Sequence, residues 1–520
     1  MQEVSKLSDP TQRTILFLIA DTGAGHRSAA NAITNAIRII SQREQEEWYA
    51  RRQQHAGAYE TSGVAVAHSS TVSENTENTE NAGSEALDQA DPLEPSPPSY
   101  RIEIVDVFEE YSRFPLREAT KLYGPTIRFN SKLFGEIFNY TNHEETIKAY
   151  NTFTTPLIFN GMLRLITTIQ PDVVVSVHPL LNFITISVLK ELGLKIPFVT
   201  VVTDMVSVHY TWFAPGADAY IVATEQARQY YLKRGLDPQR ISVLGMPIDP
   251  KYTREVESKV VLRQKFGLVP HLPVILLAGG GDGAGGLQSA VRAISQARLP
   301  VQLMVVTGRN KKLYAQLQRM RQRLYVPAQI FGFVHNMPEL MHAADVLVTK
   351  AGPGTISEAM ACHLPIIISG YISGQEEGNV DYVIENDVGV LALDARTLID
   401  ELRRLLKPGS PELHRRLKNA AKVSRPGASF DIGQKILSFL PPVGEPGVWQ
   451  SKHSVVVKRR MSGRLQSAIR LRRQHPHGHT GKKVPVARLS ITNRRSLFSK
   501  SVSREFSKET TRSLHDRSDT

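Results

Sequence analysis

The sequence has little cysteine and few long apolar stretches. Cys362 is the one cysteine among 520 residues, which excludes an intrachain disulfide and a zinc site with several cysteine ligands. The first residues, MQEVSKLSDPTQR, contain no apolar stretch, so we expect no signal peptide. The longest apolar run, 173–189, is interrupted by His178, Pro179 and Asn182 and is too short to span a bilayer. These features together predict a reducing, cytoplasmic environment.

Several catalytic motifs are also missing. The chain contains no GxSxG nucleophile motif, no HExxH zinc motif, no P-loop of the form GxxxxGK[ST] and no Asp-x-Asp pair for a divalent metal. His475, His477 and His479 are close in sequence, but their Pro- and Gly-containing surroundings argue against a metal site. The sequence therefore predicts neither a metal centre nor a cofactor.

Positive charge is unevenly distributed along the chain. The net charge is +13, and residues 441–520 alone carry 18 Lys and Arg against 5 Asp and Glu, which is the same excess. Residues 1–440 therefore have a net charge of zero. Because nucleic-acid binders present a basic surface on their folded part, this distribution argues against nucleic acid as a partner.

Two segments have the composition of unstructured chain. Residues 53–100 contain eight acidic residues, no Lys or Arg, and a closing cluster of prolines. Residues 441–520 are rich in Arg, Lys, Ser and His and show little apolar periodicity. Neither segment can bury enough apolar surface to offset the entropy of ordering. We therefore predict a disordered acidic insertion at 53–100 and a disordered basic tail from 441 to the end.

Short apolar runs rich in β-branched residues alternate with helix-length segments over the rest of the chain. The runs are 14–20, 102–108, 172–178, 197–204, 219–224, 241–246, 274–281, 301–308, 328–333, 345–350, 365–370 and 389–393. Continuous hydrophobicity is typical of parallel strands covered by helices on both faces. The pattern predicts an α/β fold with two tandem doubly wound Rossmann-like domains, 1–248 and 249–440, facing across a cleft. Ligands of such sheets bind at the carboxyl ends of the strands.

The first predicted strand leads into the glycine-rich segment DTGAGHRSAANAI, residues 21–33. Gly23 and Gly25 permit a tight turn close to a ligand, and the helix that follows offers free N–H groups to an anion. His26 lies at the helix N-terminus, where the dipole disfavours the imidazolium and leaves a neutral ring that can act as a base. An ordinary strand-to-helix turn capped by a histidine explains the spacing equally well.

The second half contains two glycine-rich turns, AGGGDGAGG (278–286) and KAGPGTISEA (350–359), each between a strand and a helix. Glycine backbones can approach a phosphate closely, hydroxyls add donors, and a carboxylate one turn into the helix can accept hydrogen bonds from ribose. The candidate donor-binding residues in these turns are Gly280, Gly281, Gly352, Gly354, Thr355 and Glu358. For Glu358 alone, a favourable acid at a helix start is the simpler explanation.

A polar cluster follows the next strand. The segment SGQEEGN (373–379) places Gln375, Glu376 and Asn379 where they can bind sugar hydroxyls, although a polar helix start has the same composition.

Aromatic residues mark a candidate acceptor cleft in the first half. His209 and Trp212 lie in TDMVSVHYTWF (203–213), and core packing is the usual alternative for such aromatic residues. We expect Trp212 to be the only one of the three tryptophans inside the fold. Residues 111–140 mix aromatic, apolar and basic side chains, as an interfacial amphipathic segment or a cleft-covering helix pair would.

Together these motifs resemble the monogalactosyldiacylglycerol synthase and diacylglycerol glucosyltransferase family, which is related to the peptidoglycan N-acetylglucosaminyltransferase. The resemblance spans residues 14–440 outside the acidic insertion, with the motifs in family order. One departure is GAGH in place of the commoner GGGH, which keeps the turn. The matching segments are DTGAGHRSAANAI, TDMVSVHYTWF, GMPID, LLAGGGDG, GFVHNMPELMHAADVLVTKAGPGTISEAMACHLPIII and SGQEEGN.

The resemblance implies a GT-B type glycosyltransferase that transfers a hexose from a UDP-sugar to diacylglycerol, with inversion and without a metal. The donor would bind the C-terminal domain and the lipid the N-terminal one, at Gly23, Gly25, His209 and Trp212. The family's glycine-rich histidine corresponds to His26, its acceptor-side tryptophan to Trp212 and its ribose-binding glutamate to Glu358. His26 is then the candidate base with Asp21 as its orienting group, and a nearby carboxylate is the alternative base.

Three alternatives remain at the level of sequence. They are a UDP-sugar transferase with a polyprenyl-linked or other amphipathic acceptor, a UDP-sugar epimerase, and a nucleic-acid binder acting through the tail. An epimerase lacks an acceptor cleft and would not need Trp212 or residues 111–140. A lipid acceptor predicts a peripheral enzyme on the inner face of the cell membrane, and the basic tail suits an anionic membrane surface. The sequence does not identify the sugar.

Overall fold

The computed structural model of the chain describes residues 12–21, 24–63, 96–118, 131–280, 286–442, 445 and 447–450. The strands in these ranges form two six-stranded sheets, and all the pairings between them are parallel. The first sheet contains β1 (Gln12–Ile19), β2 (Ser99–Asp106), β3 (Val173–Ser176), β4 (Phe198–Val201), β5 (Ala219–Val222) and β6 (Ile241–Val243). The second contains β7 (Val274–Ala278), β8 (Gln302–Val306), β9 (Ala328–Phe331), β10 (Val346–Lys350), β11 (Ile366–Gly370) and β12 (Gly389–Leu391).

Each predicted apolar run overlaps one strand, and the predicted α/β architecture is confirmed. The strand orders are β2-β1-β3-β4-β5-β6 and β12-β11-β10-β7-β8-β9. All residues of the central strands β3, β7 and β8 are buried, which explains why their sequences are continuously apolar.

Helices follow most strands. Those of the first half are α1 (Ala24–Gly63), α2 (Val107–Tyr111), α3 (Ser131–Thr141), α4 (Glu144–Ile169), α5 (Asn182–Leu192) and α6 (Glu225–Leu232). Those of the second half are α7 (Lys259–Lys265), α8 (Leu287–Gln296), α9 (Lys311–Arg321), α10 (Met337–Ala343), α11 (Pro353–Ala361), α12 (Glu377–Glu385), α13 (Ala395–Leu405), α14 (Pro411–Val423) and α15 (Ala428–Leu437). Among the helices in the described ranges, none has the length and apolar character needed to cross a bilayer.

The last helix returns to the first sheet. Ile432 and Ile436 of α15 are fully buried and belong to the same core cluster as the residues of β1, β3 and β4. A Cβ atom on Gly433 would lie 3.1 Å from Ile37 of α1, so this glycine permits close contact between the two helices. The C-terminal end of the second half therefore stabilises the first.

The predicted acidic insertion, 53–100, is shorter than the sequence suggested. Helix α1 extends to Gly63, and β2 begins at Ser99, so the disorder prediction is wrong at both ends of the segment. Good helix formers such as Gln, Ala and Glu continue beyond residue 53, which explains the extension. Residues 64–95 lie outside the described part of the chain.

The start of the predicted tail is also ordered. The Arg13 guanidinium donates to the carbonyl oxygens of Pro442 and Glu445 at 2.7 and 2.8 Å. The Trp449 indole is buried and donates to the carbonyl of Pro171 at 2.9 Å. Disorder is therefore the wrong prediction for 441–442 and 447–450, because main-chain and indole contacts at the base of the first sheet stabilise them. Residues 451–520 lie outside the described ranges.

The prediction that Trp212 is the only tryptophan inside the fold is wrong. Trp48 and Trp449 are 7% and 8% exposed, respectively. Both lie in segments of polar composition, which gives no indication that one tryptophan side chain is buried.

Candidate active site

His26 lies in the first turn of α1, just beyond the carboxyl end of β1. Its Nδ1 atom lies 2.8 Å from the carbonyl oxygen of Val177 and 3.1 Å from the hydroxyl of Thr203. Val177 follows β3 and Thr203 follows β4, so the ends of three neighbouring strands meet at this ring. A carbonyl only accepts hydrogen bonds, so Nδ1 carries the proton and Nε2 carries the lone pair.

The His26 ring is neutral at physiological pH. Burial lowers the pKa of His26 to about 4, and the hydrogen bond to Val177 opposes this shift only in part. The ring packs edge-on against His178 with 4.6 Å between centroids, and burial also lowers the pKa of His178. The carboxylate of Asp21 accepts from Arg27 Nε at 3.0 Å and acts on His26 only as a nearby charge. The Val177 carbonyl, rather than Asp21, orients the ring.

Trp212 and His209 form a buried wall beside this histidine. Trp212 is completely buried, and its ring centroid lies 6.4 Å from that of His26. Its Nε1 donates to Asp204 at 2.9 Å, and the backbone N–H of His209 donates to the same oxygen at 3.3 Å. Burial raises the pKa of Asp204 to about 6. His209 Nε2 lies 3.2 Å from the carbonyl of Phe138, so the wall extends to α3.

Glu358 lies in α11 and is half-buried. Burial raises the pKa of Glu358 to about 7, while a hydrogen bond from the Tyr252 hydroxyl lowers it in part. The charges of Lys251 and Asp249 act on the Glu358 pKa in opposite directions. Each additional hydrogen-bond donor stabilises a desolvated carboxylate, and the hydroxyls of a ribose are donors of this kind.

Glu376 and Asn379 hold the second glycine-rich turn in place. Glu376 forms a buried ion pair with Lys350, and its other oxygen accepts from the N–H of Ile372 at 2.9 Å. Asn379 donates to the carbonyl of Ala351 at 2.9 Å. Both side chains are almost fully buried, so they position the turn from behind. Gln375 is the least buried of the three residues expected to bind sugar hydroxyls.

Four further predicted donor-binding residues lie beyond the carboxyl ends of β7 and β10. Gly280 ends the segment after β7 with a φ of 68°, a conformation that favours glycine. Gly352 is the N-cap of α11, no side chain caps that helix, and Gly354 and Thr355 form its first turn. The N–H groups of this turn are therefore available to an anion. Within the described ranges no cluster of three potential metal ligands occurs.

The three remaining predicted residues are glycines. Gly23 and Gly281 lie outside the described residues. Gly25 is exposed in the first turn of α1, and a Cβ atom there would meet nothing within 4 Å, so packing does not require a glycine.

Glycines bring the two halves into direct contact around this region. A Cβ atom on Gly135 of α3 would lie 2.8 Å from Ser373. A Cβ atom on Gly378 of α12 would lie 2.4 Å from the hydroxyl of Ser207, which follows β4. The 373–379 segment therefore lies against the elements that surround His26.

We expect the Gly378→Ala variant to lower turnover by roughly tenfold. The added methyl group must displace Ser207 or Val206, and a misplacement of about 1 Å between reacting groups can cost up to 10²-fold in rate. Steady-state kinetics with the purified variant measure the effect. Gly427→Ala is the matched control, because its Cβ atom would meet nothing within 4 Å. Wild-type turnover in the Gly378 variant would show that this contact is not required.

Sequence reasoning missed several residues around the site. Asp204 and Lys350 lie within segments singled out by their motifs, and Tyr252 lies three residues after GMPID, but none of the three was predicted as a site residue. A polar side chain at or just beyond the carboxyl end of a buried parallel strand is the available signal for Lys350 and Asp204. Val177 acts through its backbone carbonyl, and residue type does not reveal such a role.

The fold and the family models define the class of the protein. Two Rossmann-like domains, with functional groups at the facing strand ends, are the GT-B arrangement. Residues 82–248 match the model for monogalactosyldiacylglycerol (MGDG) synthase, and residues 274–430 match the glycosyltransferase family 28 C-terminal domain. The protein is a glycosyltransferase.

Relatives define the family. The chain is 38% identical over 437 residues to the probable monogalactosyldiacylglycerol synthase 2 of Oryza sativa subsp. japonica, covering 82% of this chain and 80% of that protein. It is 31% identical over 449 residues to monogalactosyldiacylglycerol synthase 3 of Arabidopsis thaliana, covering 84% and 83%. The chain belongs to the monogalactosyldiacylglycerol synthase family. Among solved structures, MurG of Acinetobacter baumannii aligns with a TM-score of 0.45 at 13% identity, covering 82% of this chain and 99% of that one.

Proposed function

We propose that this protein transfers a hexose from a UDP-sugar to diacylglycerol, with inversion at the anomeric carbon and without a metal. The observation that carries the proposal is the neutral His26, whose Nδ1 is held by Val177 and whose Nε2 accepts no hydrogen bond from the described residues. The names of the relatives support diacylglycerol as the acceptor. Uncapped N–H groups at α11 and the carboxylate of Glu358 support a nucleotide donor.

The proposed reaction is a single displacement. Nε2 of His26 takes the proton of the acceptor hydroxyl as its oxygen attacks the anomeric carbon of the donor. The bond from that carbon to the phosphate oxygen breaks, and UDP leaves with the electron pair. N–H groups of the glycine turns and of the first turn of α11 stabilise the charge that develops on UDP.

An apolar groove in the first half suits the acyl part of the acceptor. It has a volume of about 250 Å³ and lies beside the segment that contains Trp212, between α4, α5 and residues 211–216. Its apolar lining residues include Ile147, Pro179, Leu180, Phe183, Ile186 and Phe213. Burial of acyl methylenes here would contribute about 0.8 kcal/mol each.

Incubation with diacylglycerol and each UDP-hexose in turn tests the proposed function. Mass spectrometry of the lipid fraction should show a monohexosyl product with at least one of the donors. A polyprenyl phosphate acceptor provides the comparison, and product on that acceptor alone would overturn the proposal.

We expect activity to persist in excess chelator. The chain has no Asp-x-Asp pair, and the proposed donor site meets phosphate charge with backbone N–H groups and a helix N-terminus. The assay compares rates in EDTA with rates in added Mg²⁺ or Mn²⁺. Complete loss of activity in EDTA that either ion restores would contradict this prediction.

We further propose that the protein acts in the cytoplasm as a peripheral enzyme on the inner face of the cell membrane. Residues 451–520 carry 18 basic and 4 acidic side chains. Each Lys or Arg near an anionic surface contributes about 1 kcal/mol to binding. A chain ending at Gln450 keeps Trp449 and should bind anionic vesicles much more weakly than the full chain in low salt. Equal binding by both chains would assign membrane contact to the folded part.

A further inference from the structure

Lys350 is the last residue of β10, and its side chain lies beside Gly280 and Gly352. A Cβ atom on Gly352 would lie 3.1 Å from Lys350 Nζ, and one on Gly280 would lie 3.7 Å from Lys350 Cε. Gly352 has a φ of −72°, which any residue can adopt, so its backbone does not require glycine. The missing side chain at Gly352 instead leaves the ammonium uncovered.

The partner of this ammonium lies on its buried side. The side chain of Glu376 is 4% exposed, whereas that of Lys350 is 21% exposed. One carboxylate oxygen of Glu376 pairs with Lys350 and the other accepts from Ile372 N–H, so Glu376 is held firmly. An ammonium has three donors, and Glu376 occupies one of them. The space that a side chain at Gly352 would fill lies next to the ammonium.

The same place attracts anions for a second reason. Helix α11 starts at Pro353 with Gly352 as a cap that has no side chain, so its first N–H groups add positive potential beside the ammonium. A group held by both would carry negative charge and approach the backbone closely, and a diphosphate has both properties.

We propose that Lys350 binds the diphosphate of the nucleotide-sugar donor and that Glu376 is the buried counter-ion of Lys350 in the free protein. This inference rests on the proposed function, which supplies the donor. In the free protein the carboxylate of Glu376 balances the charge of the Lys350 ammonium. When the diphosphate binds, the ammonium neutralises part of its charge, and it does the same for the departing UDP.

The test compares UDP with uridine, which lacks the phosphates. The variants are Glu376→Gln and the double variant Lys350→Met, Glu376→Gln, which removes both charges and leaves no buried carboxylate without a partner. We expect the double variant to bind UDP at least about tenfold more weakly than wild type and to bind uridine within about twofold. Glu376→Gln alone should keep UDP affinity within about threefold, because the ammonium remains. Calorimetry measures UDP binding, and ligand-observed NMR measures uridine binding.

The arms separate three outcomes. Loss of UDP binding in the double variant alone, with uridine binding kept, supports the proposal. Equal loss of UDP and uridine binding, or equal behaviour of the two variants, would show that the ion pair only supports the fold and would overturn it. If wild-type protein binds neither UDP nor uridine, the proposed donor is wrong, and this inference fails with it. Melting temperatures of both variants near that of wild type confirm that the comparison concerns folded protein.

Discussion

Replacement of His26 with alanine should lower turnover by about 10²-fold or more, which is the usual contribution of a positioned general base. The ring lies where β1, β3 and β4 end, and the Val177 carbonyl fixes which nitrogen can accept a proton. Burial holds the pKa of His26 at about 4, so the ring enters the reaction without a proton. A bound anionic donor would raise that pKa and strengthen the base. No described hydrogen bond of Nε2 competes with the substrate.

Donor affinity is the internal control for this variant. His26 is not among the groups proposed to hold the nucleotide, so the dissociation constant of UDP should stay within about threefold of wild type. His271→Ala is the matched surface variant, because His271 is exposed just before β7. Near-normal turnover in His26→Ala would show that another group takes the proton of the acceptor, such as the carboxylate of Asp204, which accepts from Trp212.

Replacement of Glu358 with alanine should weaken donor binding and leave turnover nearly unchanged, the opposite of the His26 variant. Loss of charge-assisted hydrogen bonds to the ribose should weaken donor binding by about 1.5–3 kcal/mol, or roughly 10- to 150-fold. Turnover at saturating donor should change much less. Glu385→Ala is the matched control, since Glu385 is an exposed carboxylate at the end of α12 in the same half. Unchanged donor affinity would remove Glu358 from the proposed site.

The pH dependence of donor binding tests the same carboxylate independently. The pKa of free Glu358 is about 7, and ribose hydroxyls would favour its ionised form. Binding therefore lowers this pKa, so affinity is full above pH 7 and declines as the pH falls through it. A UDP-hexose is the suitable probe, because its diphosphate has no terminal group that titrates near pH 7. The Glu358→Gln variant should show a flat profile, and a sloping profile in that variant would assign the titration elsewhere.

The sequence predicted the architecture well because the strands are buried on both faces. Apolar runs such as 274–281 and 301–308 can satisfy this pattern only in parallel sheets covered by helices. The disordered segments were less well predicted at their ends. Contacts of Arg13 and Trp449 with distant carbonyls order residues after 440, and local composition does not report such contacts.

The candidate site was predictable in its location and less so in its contacts. His26 and Trp212 are far apart in sequence, yet both follow strands of the first sheet and their ring centroids lie 6.4 Å apart. The role of Glu376 was not predictable, because Glu376 is the N-cap residue of α12 while its partner Lys350 lies at the end of β10, 26 residues earlier in the chain. The half-burial of Glu358 beside Tyr252 also arises from packing between segments that only the fold brings together.

Proton NMR of the lipid product shows directly whether the protein transfers the hexose to diacylglycerol with inversion. Purified protein, diacylglycerol and an α-linked UDP-hexose are incubated in EDTA, and the anomeric coupling of the product is measured. The account predicts a monohexosyl diacylglycerol with a β linkage, because a single displacement inverts the anomeric carbon. An α-linked product, or hydrolysis of the donor without any glycolipid, would contradict it.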